Sequence, residues 1–300
     1  MKRILHTVSY AGFWRGQHGL SLPDTLVKAA ELGYDGVMIV GKRPHASLLD
    51  FVPKERERLR AQLEGLRLEC ACIAGYTDFT AGADRPDIPL REMQIAYVTE
   101  MARLAYDLGG KFVRVFTGYE RKEAPFAVQW DWCVSALREC AERAAEYDVT
   151  IAVQNHHDIA VTAADLSDLL AEIDRPNCGA SYDAWAPTLQ GLDIAAETEK
   201  IADRIVYTTT ADYQLRPRFA YQPPLTHYAP QQPRAVAVPM GEGIIDYKTF
   251  FAVLQRHGYQ GCVAYEMCSE LVGGGSIENL DACARKFLEF MAGIDGRTAR

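Results

Sequence analysis

The fold of this chain is decided by the stretch Val238-Pro239-Met240-Gly241-Glu242-Gly243-Ile244-Ile245-Asp246, continued by Gly258-Tyr259-Gln260-Gly261 and ended by Tyr265-Glu266. A turn punctuated by glycine leads into Asp246, and aspartate is a favoured N-cap of helices. An amphipathic helical pattern follows, glycine ends it, and a short apolar strand delivers Glu266 at its C-terminal end. Because α/β barrels build their active sites at the C-terminal ends of strands, Glu266 is a candidate site residue.

Short apolar runs alternate with helical patterns along the whole chain. The predicted strands are residues 4–9, 36–40, 69–73, 112–116, 150–154, 178–182, 205–209 and 262–265. The predicted helices are residues 22–32, 54–63, 89–108, 127–147, 163–173, 194–202, 247–257 and 279–291. Eight successive β-α units predict one (β/α)8 barrel domain over residues 1–300 rather than an open sheet. No Gly-x-Gly-x-x-Gly motif follows the first strand, which disfavours a dinucleotide-binding fold.

Bulk composition excludes several classes of partner. The formal net charge is −8, from 32 basic and 40 acidic residues, which disfavours nucleic acid. Eight cysteines are scattered without a Cys-x-x-Cys pair, as is typical of a reducing cytoplasm rather than a disulfide framework. No apolar run approaches the ~20 residues of a membrane span, and the first residues lack the apolar core of a signal peptide. We therefore expect a cytoplasmic protein with a small-molecule partner.

One long irregular stretch, residues 212–238, follows the seventh predicted strand. It contains five prolines together with Tyr213, Phe219, Tyr221 and Tyr228, which predicts a loop without regular structure. A loop of this length in a compact domain is usually functional, and its place after a barrel strand sets it over the mouth of the barrel. A lid or binding loop and an oligomer contact are both open interpretations.

Nearly the whole chain resembles the sugar phosphate isomerase/epimerase family, the xylose-isomerase-like TIM barrels. The closing stretch is similar to the family's "GxGxID…GYxG…E" run, and Leu32-Gly33-Tyr34-Asp35-Gly36-Val37 is similar to its entry into the second strand. Gln154-Asn155-His156 stands where members usually read Glu-Asn-His, and Ser181-Tyr182-Asp183 matches the aspartate of the sixth strand. The resemblance implies an enzyme of carbohydrates that forms homo-dimers or homo-tetramers.

The resemblance also implies a metal. Metal-dependent members hold a divalent ion with a Glu, an Asp, a His and a Glu placed after strands five to eight. Asp183 and Glu266 match this set, whereas Gln154 replaces the first Glu and Thr209 replaces the His. Such an all-oxygen set suits Mn²⁺ or Mg²⁺ better than Zn²⁺. The alternative is an altered site in which Gln154 and Asp183 hydrogen-bond the substrate.

Acid–base chemistry depends on the same positions. A glutamine cannot exchange protons at neutral pH, which disfavours the two-glutamate mechanism of family epimerases. His156 lies two residues after Gln154, so strand alternation directs both side chains to one side, and His156 is the leading acid/base candidate. His157 is a second candidate that points the other way if the strand stays regular. Glu266 is predicted to act as ligand and base.

Further residues near the predicted strand ends are candidates for substrate binding: Lys42, Arg43, His45, Trp185, Arg216, Arg218 and Trp14. The three basic residues after the second strand suit an anionic or polyhydroxy substrate, unless they are solvated loop charges. Arg216 and Arg218 stand about where some family epimerases clamp the substrate. For Trp14 and Trp185, stacking on a sugar ring and packing in the core are both open interpretations. Arg114, inside the fourth strand, faces either the barrel or the helix layer.

Taken together, the sequence predicts an isomerase, epimerase or dehydratase of a sugar, keto-sugar or cyclitol. The reaction would be metal-assisted proton transfer next to a carbonyl group. The alternative is a catalytically altered barrel that binds a sugar or serves as one subunit of a hetero-complex.

Overall fold

The computed structural model describes residues 1–297, and its centre is a closed barrel of eight parallel strands. The barrel strands are β1 (Lys2–His6), β2 (Gly36–Val40), β3 (Glu69–Ala74), β4 (Phe112–Val115), β5 (Thr150–Gln154), β6 (Cys178–Ser181), β7 (Ile205–Thr210) and β10 (Cys262–Tyr265). Around the barrel they run in the order β1-β10-β7-β6-β5-β4-β3-β2. The predicted (β/α)8 barrel is confirmed.

Helices cover the outside of this barrel. They are α1 (Leu22–Leu32), α2 (Pro53–Leu66), α3 (Leu90–Asp107), α4 (Phe126–Ala145), α5 (Ala163–Ile173), α6 (Trp185–Leu189), α7 (Ile194–Ile201), α8 (Tyr247–Arg256) and α9 (Ile277–Asp295). The short helix α6 falls in a segment that the sequence analysis left without structure. Each long helix buries one apolar face, as α8 does with Phe250, Phe251 and Leu254, which are all fully buried.

The barrel closes between its first and last strands. Lys2 pairs with Cys262 on one side of β1, and Ile4 pairs with Gly36 on the other, so β1 bridges both ends of the sheet. The strands are buried on both faces, as parallel strands under a helix layer usually are. All eight cysteines lie within the described residues and are free thiols. Within residues 1–297, every helix is too short or too polar to span a membrane.

The segment 212–238 differs from the irregular loop that the sequence predicted. It forms an antiparallel hairpin of β8 (Asp212–Gln222) and β9 (His227–Val238), joined by a turn at Pro223–Leu225. The prolines suggested irregular structure because proline cannot donate to a central sheet ladder. In a two-stranded ribbon each strand keeps one free edge, and all the hairpin prolines are exposed. We call the element β8–β9 the hairpin.

The glycine turn of the closing stretch fixes the root of the hairpin. The Asp212 carboxylate accepts hydrogen bonds from the amides of Gly241 and Gly243, each at 2.9 Å. Gly241 has a φ of +86°, which favours glycine, and a Cβ on Gly243 would lie only 2.0 Å from Asp212 Oδ1. Asp246 then caps α8 by accepting from the amide of Thr249 at 3.0 Å, as the sequence predicts. The turn therefore joins β7, the hairpin and α8.

Candidate active site

A cavity of about 390 Å³ opens where the barrel strands end. Its aromatic wall consists of Phe13, Trp14, Tyr76, Phe116, Trp185 and Tyr213. Its polar and charged groups include His6, Lys42, Arg114, Gln154, His156 and Glu266. A larger groove of about 650 Å³ lies elsewhere, but residues of α3, α4 and their preceding loops line it rather than strand ends. The first cavity is therefore the candidate active site.

Three of the predicted metal-ligand positions are joined by hydrogen bonds. The Gln154 side chain donates from Nε2 to Asp183 Oδ2 at 2.7 Å and to Thr209 Oγ1 at 3.2 Å. Asn155 fixes the neighbouring backbone, since its Nδ2 donates to the Asp183 carbonyl at 3.0 Å and its Oδ1 accepts from the Asp183 amide at 2.9 Å. Gln154 lines the cavity, whereas Asp183 and Thr209 are fully buried behind it.

This arrangement does not fit the divalent metal that the resemblance implies. A metal requires oxygen lone pairs that converge on one point, whereas Gln154 directs an N–H donor toward the other two side chains. Gln154 Oε1 is buried without a hydrogen-bond partner in the described structure, so it is turned away from them. Among residues 1–297, no three His, Cys, Asp or Glu side chains form a group that could hold a metal ion. The metal remains a prediction from the resemblance that these contacts do not support.

Burial gives the two carboxyl groups a high proton affinity. It raises the pKa of Asp183 to about 7, although the hydrogen bond from Gln154 acts in the opposite direction. Burial also raises the pKa of Glu266, and the nearby Arg114 charge opposes that rise. Glu266 Oε2 lies 3.7 Å from Nε2 of His6, whose own pKa burial holds well below its usual value. A cavity carboxyl group of this kind is suited to acid–base chemistry.

His156 and His157 contact one another through their rings. The backbone N–H of His157 donates to His156 Nδ1 at 2.8 Å, so that nitrogen carries no proton. The two Nδ1 atoms also lie 2.8 Å apart, so the proton between them belongs to His157. His156 therefore keeps its own proton on Nε2. Burial, with smaller effects of His157 and Arg114, lowers the pKa of His156 to about 3, which makes the ring a neutral donor at physiological pH.

The prediction that His157 points away from His156 depended on a regular strand at that position. The strand β5 ends at Gln154, and His157 has a φ of +65°, so strand alternation no longer applies there. Its ring stacks on Tyr119 with centroids 4.0 Å apart and lies 4.5 Å from that of Phe116. Burial lowers the pKa of His157 to about 4. His157 therefore contacts the ring of His156 but is not itself among the residues that line the cavity.

Two cations lie against the aromatic wall. Arg114 faces the barrel interior, is 2% exposed, and donates from Nη1 to the carbonyl of Gly75 at 2.8 Å. Its guanidinium carbon lies 4.1 Å from the Phe116 ring centroid. Lys42 Nζ lies 3.8 Å from the ring centroid of Tyr76, and burial lowers its pKa, with Arg114 adding to the effect. The structure thus selects the interior position for Arg114 that the sequence left open.

The other candidates for substrate binding divide into two groups. Trp14 and Trp185 line the cavity, and Trp14 Nε1 donates to the Met267 carbonyl at 3.1 Å. His45 is buried outside the cavity lining, with its two ring nitrogens near the Thr7 hydroxyl at 2.9 Å and the Leu20 carbonyl at 3.2 Å. Its contacts are those of a structural histidine.

Three arginines lie away from the cavity. Arg43 is exposed and pairs with Asp50, with Nη2 and Oδ1 2.6 Å apart. Arg216 and Arg218 are exposed on the hairpin and do not line the cavity. Their predicted contact with the substrate has no support from this arrangement.

Sequence reasoning missed several cavity residues: His6, Tyr76, Phe116, Tyr213 and Cys268. His6 carried a usable signal, because it ends β1 at the carboxyl side of the barrel. The predicted first strand ran on to residue 9 and so hid that position. Tyr213 belongs to the hairpin root, which was interpreted as loop.

Comparison with known proteins agrees with this geometry. The sequence pattern of the xylose isomerase-like TIM barrel family matches residues 26–291. SgbU of Escherichia coli (strain K12), assigned as an L-ribulose-5-phosphate 3-epimerase, is 28% identical over 289 residues, covering 90% of this chain and 91% of that protein. Inosose dehydratase of Geobacillus thermodenitrificans (strain NG80-2) is 22% identical over 149 residues, 49% of this chain and 50% of that one. The crystal structure of D-psicose 3-epimerase from Clostridium cellulolyticum H10 has a TM-score of 0.75 at 17% identity and covers 98% and 99% of the two chains.

Proposed function

The chain belongs to the xylose isomerase-like TIM barrel family, and on that premise we propose that it is an enzyme that moves a proton next to the carbonyl group of a sugar, keto-sugar or cyclitol. One observation carries the proposal: Glu266 lines the cavity at the end of the last barrel strand, with its pKa raised. The epimerase and the dehydratase among the relatives support a carbohydrate substrate.

Glu266 is the proposed base. Its carboxylate removes a proton from the carbon next to the carbonyl group, and the electron pair of that C–H bond moves to the carbonyl oxygen as an enediolate forms. His6, whose Nε2 lies 3.7 Å from Glu266 Oε2, is a neutral neighbour on which the protonated Glu266 places no second charge. The same carboxyl group then returns the proton.

His156 is the proposed partner of the carbonyl oxygen. Its free Nε2–H lies on a ring that lines the cavity, and the ring stays neutral because its pKa is about 3. A fixed neutral donor stabilises a developing oxyanion without giving up its proton to solvent. His157 holds that donor in one tautomer through the contacts at His156 Nδ1.

The glutamine at position 154, where the family has a glutamate, favours some of the possible reactions over others. Epimerisation with two bases needs a second proton-exchanging group on the opposite face of the substrate, and Gln154 cannot supply it. In isomerisation Glu266 returns the proton to the neighbouring carbon, and the remaining hydroxyl proton of the enediolate moves to the former carbonyl oxygen, so that the carbonyl group shifts by one carbon. In dehydration the protonated Glu266 gives its proton to a β-hydroxyl group, which leaves as water while the electron pair of the enediolate forms the new C=C bond. We therefore place isomerisation and dehydration before two-base epimerisation.

We propose that this site works without the manganese or magnesium that the resemblance implies. The Gln154 NH2 group faces Asp183 Oδ2 and Thr209 Oγ1, where a shared metal would need an oxygen lone pair from Gln154. Metal analysis of the purified protein tests this point, and a stoichiometric divalent ion would contradict it. If the protein carries no activity at all, the alternative of a sugar-binding barrel or a subunit of a hetero-complex takes its place.

The exchange of substrate protons with solvent tests the enzyme assignment. The protein is incubated in D₂O with a panel of ketoses and inososes, and deuterium next to the carbonyl group is followed by NMR. We expect exchange by the native protein and its loss in Glu266→Gln. The matched control is Glu289→Gln, an exposed residue of α9, which should exchange at the native rate. Full exchange by Glu266→Gln would refute the assignment.

Location and assembly are separate proposals. Free thiols buried in strands and helices support a reducing, cytoplasmic location. Phe219, Tyr221, Leu225 and Tyr228 of the hairpin are more than half exposed, which supports a homo-oligomer contact at that element. Size-exclusion chromatography with light scattering tests the assembly.

A further inference from the structure

We infer that the substrate carries an anionic group, a carboxylate or a phosphate, and that Lys42 and Arg114 bind this group. The inference rests on the proposed function, since it concerns the same cavity. It goes beyond that function because proton transfer next to a carbonyl group requires no charge on the sugar.

Arg114 is a buried cation that forms no ion pair with the described residues. Its side chain is 2% exposed, yet no carboxylate of the described residues lies within ion-pair distance of the guanidinium. Nη1 has the carbonyl of Gly75 as its partner, and Nε is buried without any hydrogen-bond partner in residues 1–297. Burying a charge is costly unless it is paired, and the Phe116 ring compensates only part of that cost. The side chain lines the cavity, so a ligand can reach it.

Lys42 presents a second cation on the same wall. Nζ lies over Tyr76 at 3.8 Å and over Phe13 at 4.9 Å, measured to the ring centroids. Within the described chain it forms no ion pair with a carboxylate. The next residue behaves differently, because Arg43 turns outward and pairs with Asp50. The aromatic rings therefore direct Lys42, and not its neighbour, to the cavity.

The two cations lie beside the same aromatic ring and line the same cavity. The guanidinium carbon of Arg114 lies 5.1 Å from the Tyr76 ring centroid, the same ring that Lys42 contacts. A carboxylate or phosphate has several oxygens and accepts from both donors at once. Such a group fixes one end of the substrate and leaves the carbonyl end to Glu266 and His156.

The charge balance of the cavity supports the same conclusion. Glu266 is the one acidic side chain among the described lining residues, and it faces two cations. The protein as a whole is acidic, with a net charge of −8, so the positive cavity is a local feature. With Glu266 ionised, the lining keeps one net positive charge, which a neutral sugar would leave in place and an anionic sugar would neutralise.

Three sugars that differ at one carbon test the inference: D-fructose, D-fructuronate and D-fructose 6-phosphate. Binding is measured by isothermal titration calorimetry at up to about 10 mM sugar. We expect at least one anion to bind roughly tenfold or more tightly than fructose. Lys42→Met removes the charge but keeps most of the apolar side chain, and it should reduce that preference roughly tenfold or more, whereas the neighbouring Arg43→Met should retain it.

Each binding result either supports or overturns the anionic substrate. A preference for fructuronate alone or for the phosphate alone supports the inference and identifies the anion. Equal affinities, no binding of either anion in that range, or a preference that survives in Lys42→Met would overturn it. Arg114→Lys, which keeps the charge in the core, should retain the preference, and Arg114→Met should lose it. The Lys42→Met result is interpreted independently of the Arg114 variants, so the test remains decisive even if the buried Arg114→Met protein does not fold.

The two proposals fail separately. Deuterium exchange into neutral ketoses without any anion preference would leave the proposed enzyme intact and overturn only the anionic substrate. Anion preference in a protein that never exchanges substrate protons would overturn the enzyme and leave an anion-binding barrel.

Discussion

Restoring a glutamate at position 154 is the sharpest test of how this site is held together. In the native chain Gln154 Nε2 lies 2.7 Å from Asp183 Oδ2 as a hydrogen-bond donor. The substitution Gln154→Glu replaces the donor with an acceptor and brings two carboxyl groups to the same distance. Unless a cation lies between them, one of the two must remain protonated.

The magnitude follows from that distance. Two unit charges 2.7 Å apart repel by about 6 kcal/mol at an effective dielectric constant of about 20. The introduced carboxyl group avoids this repulsion by keeping its proton. Holding a carboxylic acid of ordinary pKa about 4.3 neutral at about pH 7.5 costs about 4 kcal/mol. We therefore expect the free energy of unfolding to fall by about 4 kcal/mol at that pH.

The sign of the pH dependence is fixed. The folded variant holds a proton that the unfolded chain releases, so the pKa of the introduced group is higher in the folded state. Its destabilising effect is absent below about pH 4.3 and grows by about 1.4 kcal/mol per unit as the pH rises. Urea unfolding followed by circular dichroism at several pH values measures this slope. Gln154→Met, which removes the hydrogen bonds without adding charge, is the control and should cost about 1–3 kcal/mol with a weaker slope.

Metal provides the decisive comparison. Manganese should stabilise the double variant Gln154→Glu with Thr209→His, which carries the ligand set of the family, and should leave the native protein unchanged. A Gln154→Glu protein as stable as the native one at pH 7.5 without metal would refute the reasoning. So would a native protein that manganese stabilises and a chelator destabilises.

Three further outcomes follow from the contacts of single residues. His157→Ala removes the ring that packs against His156 but keeps the backbone N–H that donates to His156 Nδ1, so it should lower kcat roughly tenfold with little change in KM while ¹⁵N NMR still shows the Nε2–H tautomer of His156; an unchanged kcat would contradict the supporting role of the ring. Asp212→Asn should lower the free energy of unfolding by about 2 kcal/mol, because the side-chain NH2 of asparagine cannot accept from the backbone amides that one carboxylate oxygen now serves; urea unfolding measures it, and a neutral effect would contradict the role of the turn. Burial, and to a smaller extent the charge of Glu266, hold the pKa of the Cys268 thiol well above its usual value. Iodoacetamide at pH 8 should therefore modify Cys268 slowly, as followed by mass spectrometry, and rapid labelling would contradict this.

The barrel was predictable because its strands are short apolar runs separated by amphipathic helices. The errors were mostly one to three residues at element ends, where caps rather than hydrophobic pattern set the boundary. The hairpin was missed for a physical reason. Prolines argue against a strand only where the amide must donate to a neighbour, and the exposed ribbon edges at Pro217 and Pro230 make no such demand.

The candidate site was predictable where topology alone brings residues together. Gln154, Asp183 and Thr209 meet because successive parallel strands end at the same side of the barrel. The direction of Arg114 was not predictable, since strands buried on both faces show no polar–apolar alternation. His45 was misjudged because its partners, Thr7 and Leu20, come from other elements of the chain.

The Asp212 carboxylate has a consequence for how this barrel can change over time. Gly241 and Gly243 bind it at the point where the hairpin returns, so both ends of a 27-residue excursion are held together at its base, residues 212–238. The exposed part of the hairpin beyond this base can lengthen, shorten or be exchanged without moving Thr209 or the cavity wall at Tyr213. Variation in assembly or in access to the cavity can therefore accumulate in the hairpin while the chemistry below it stays constant.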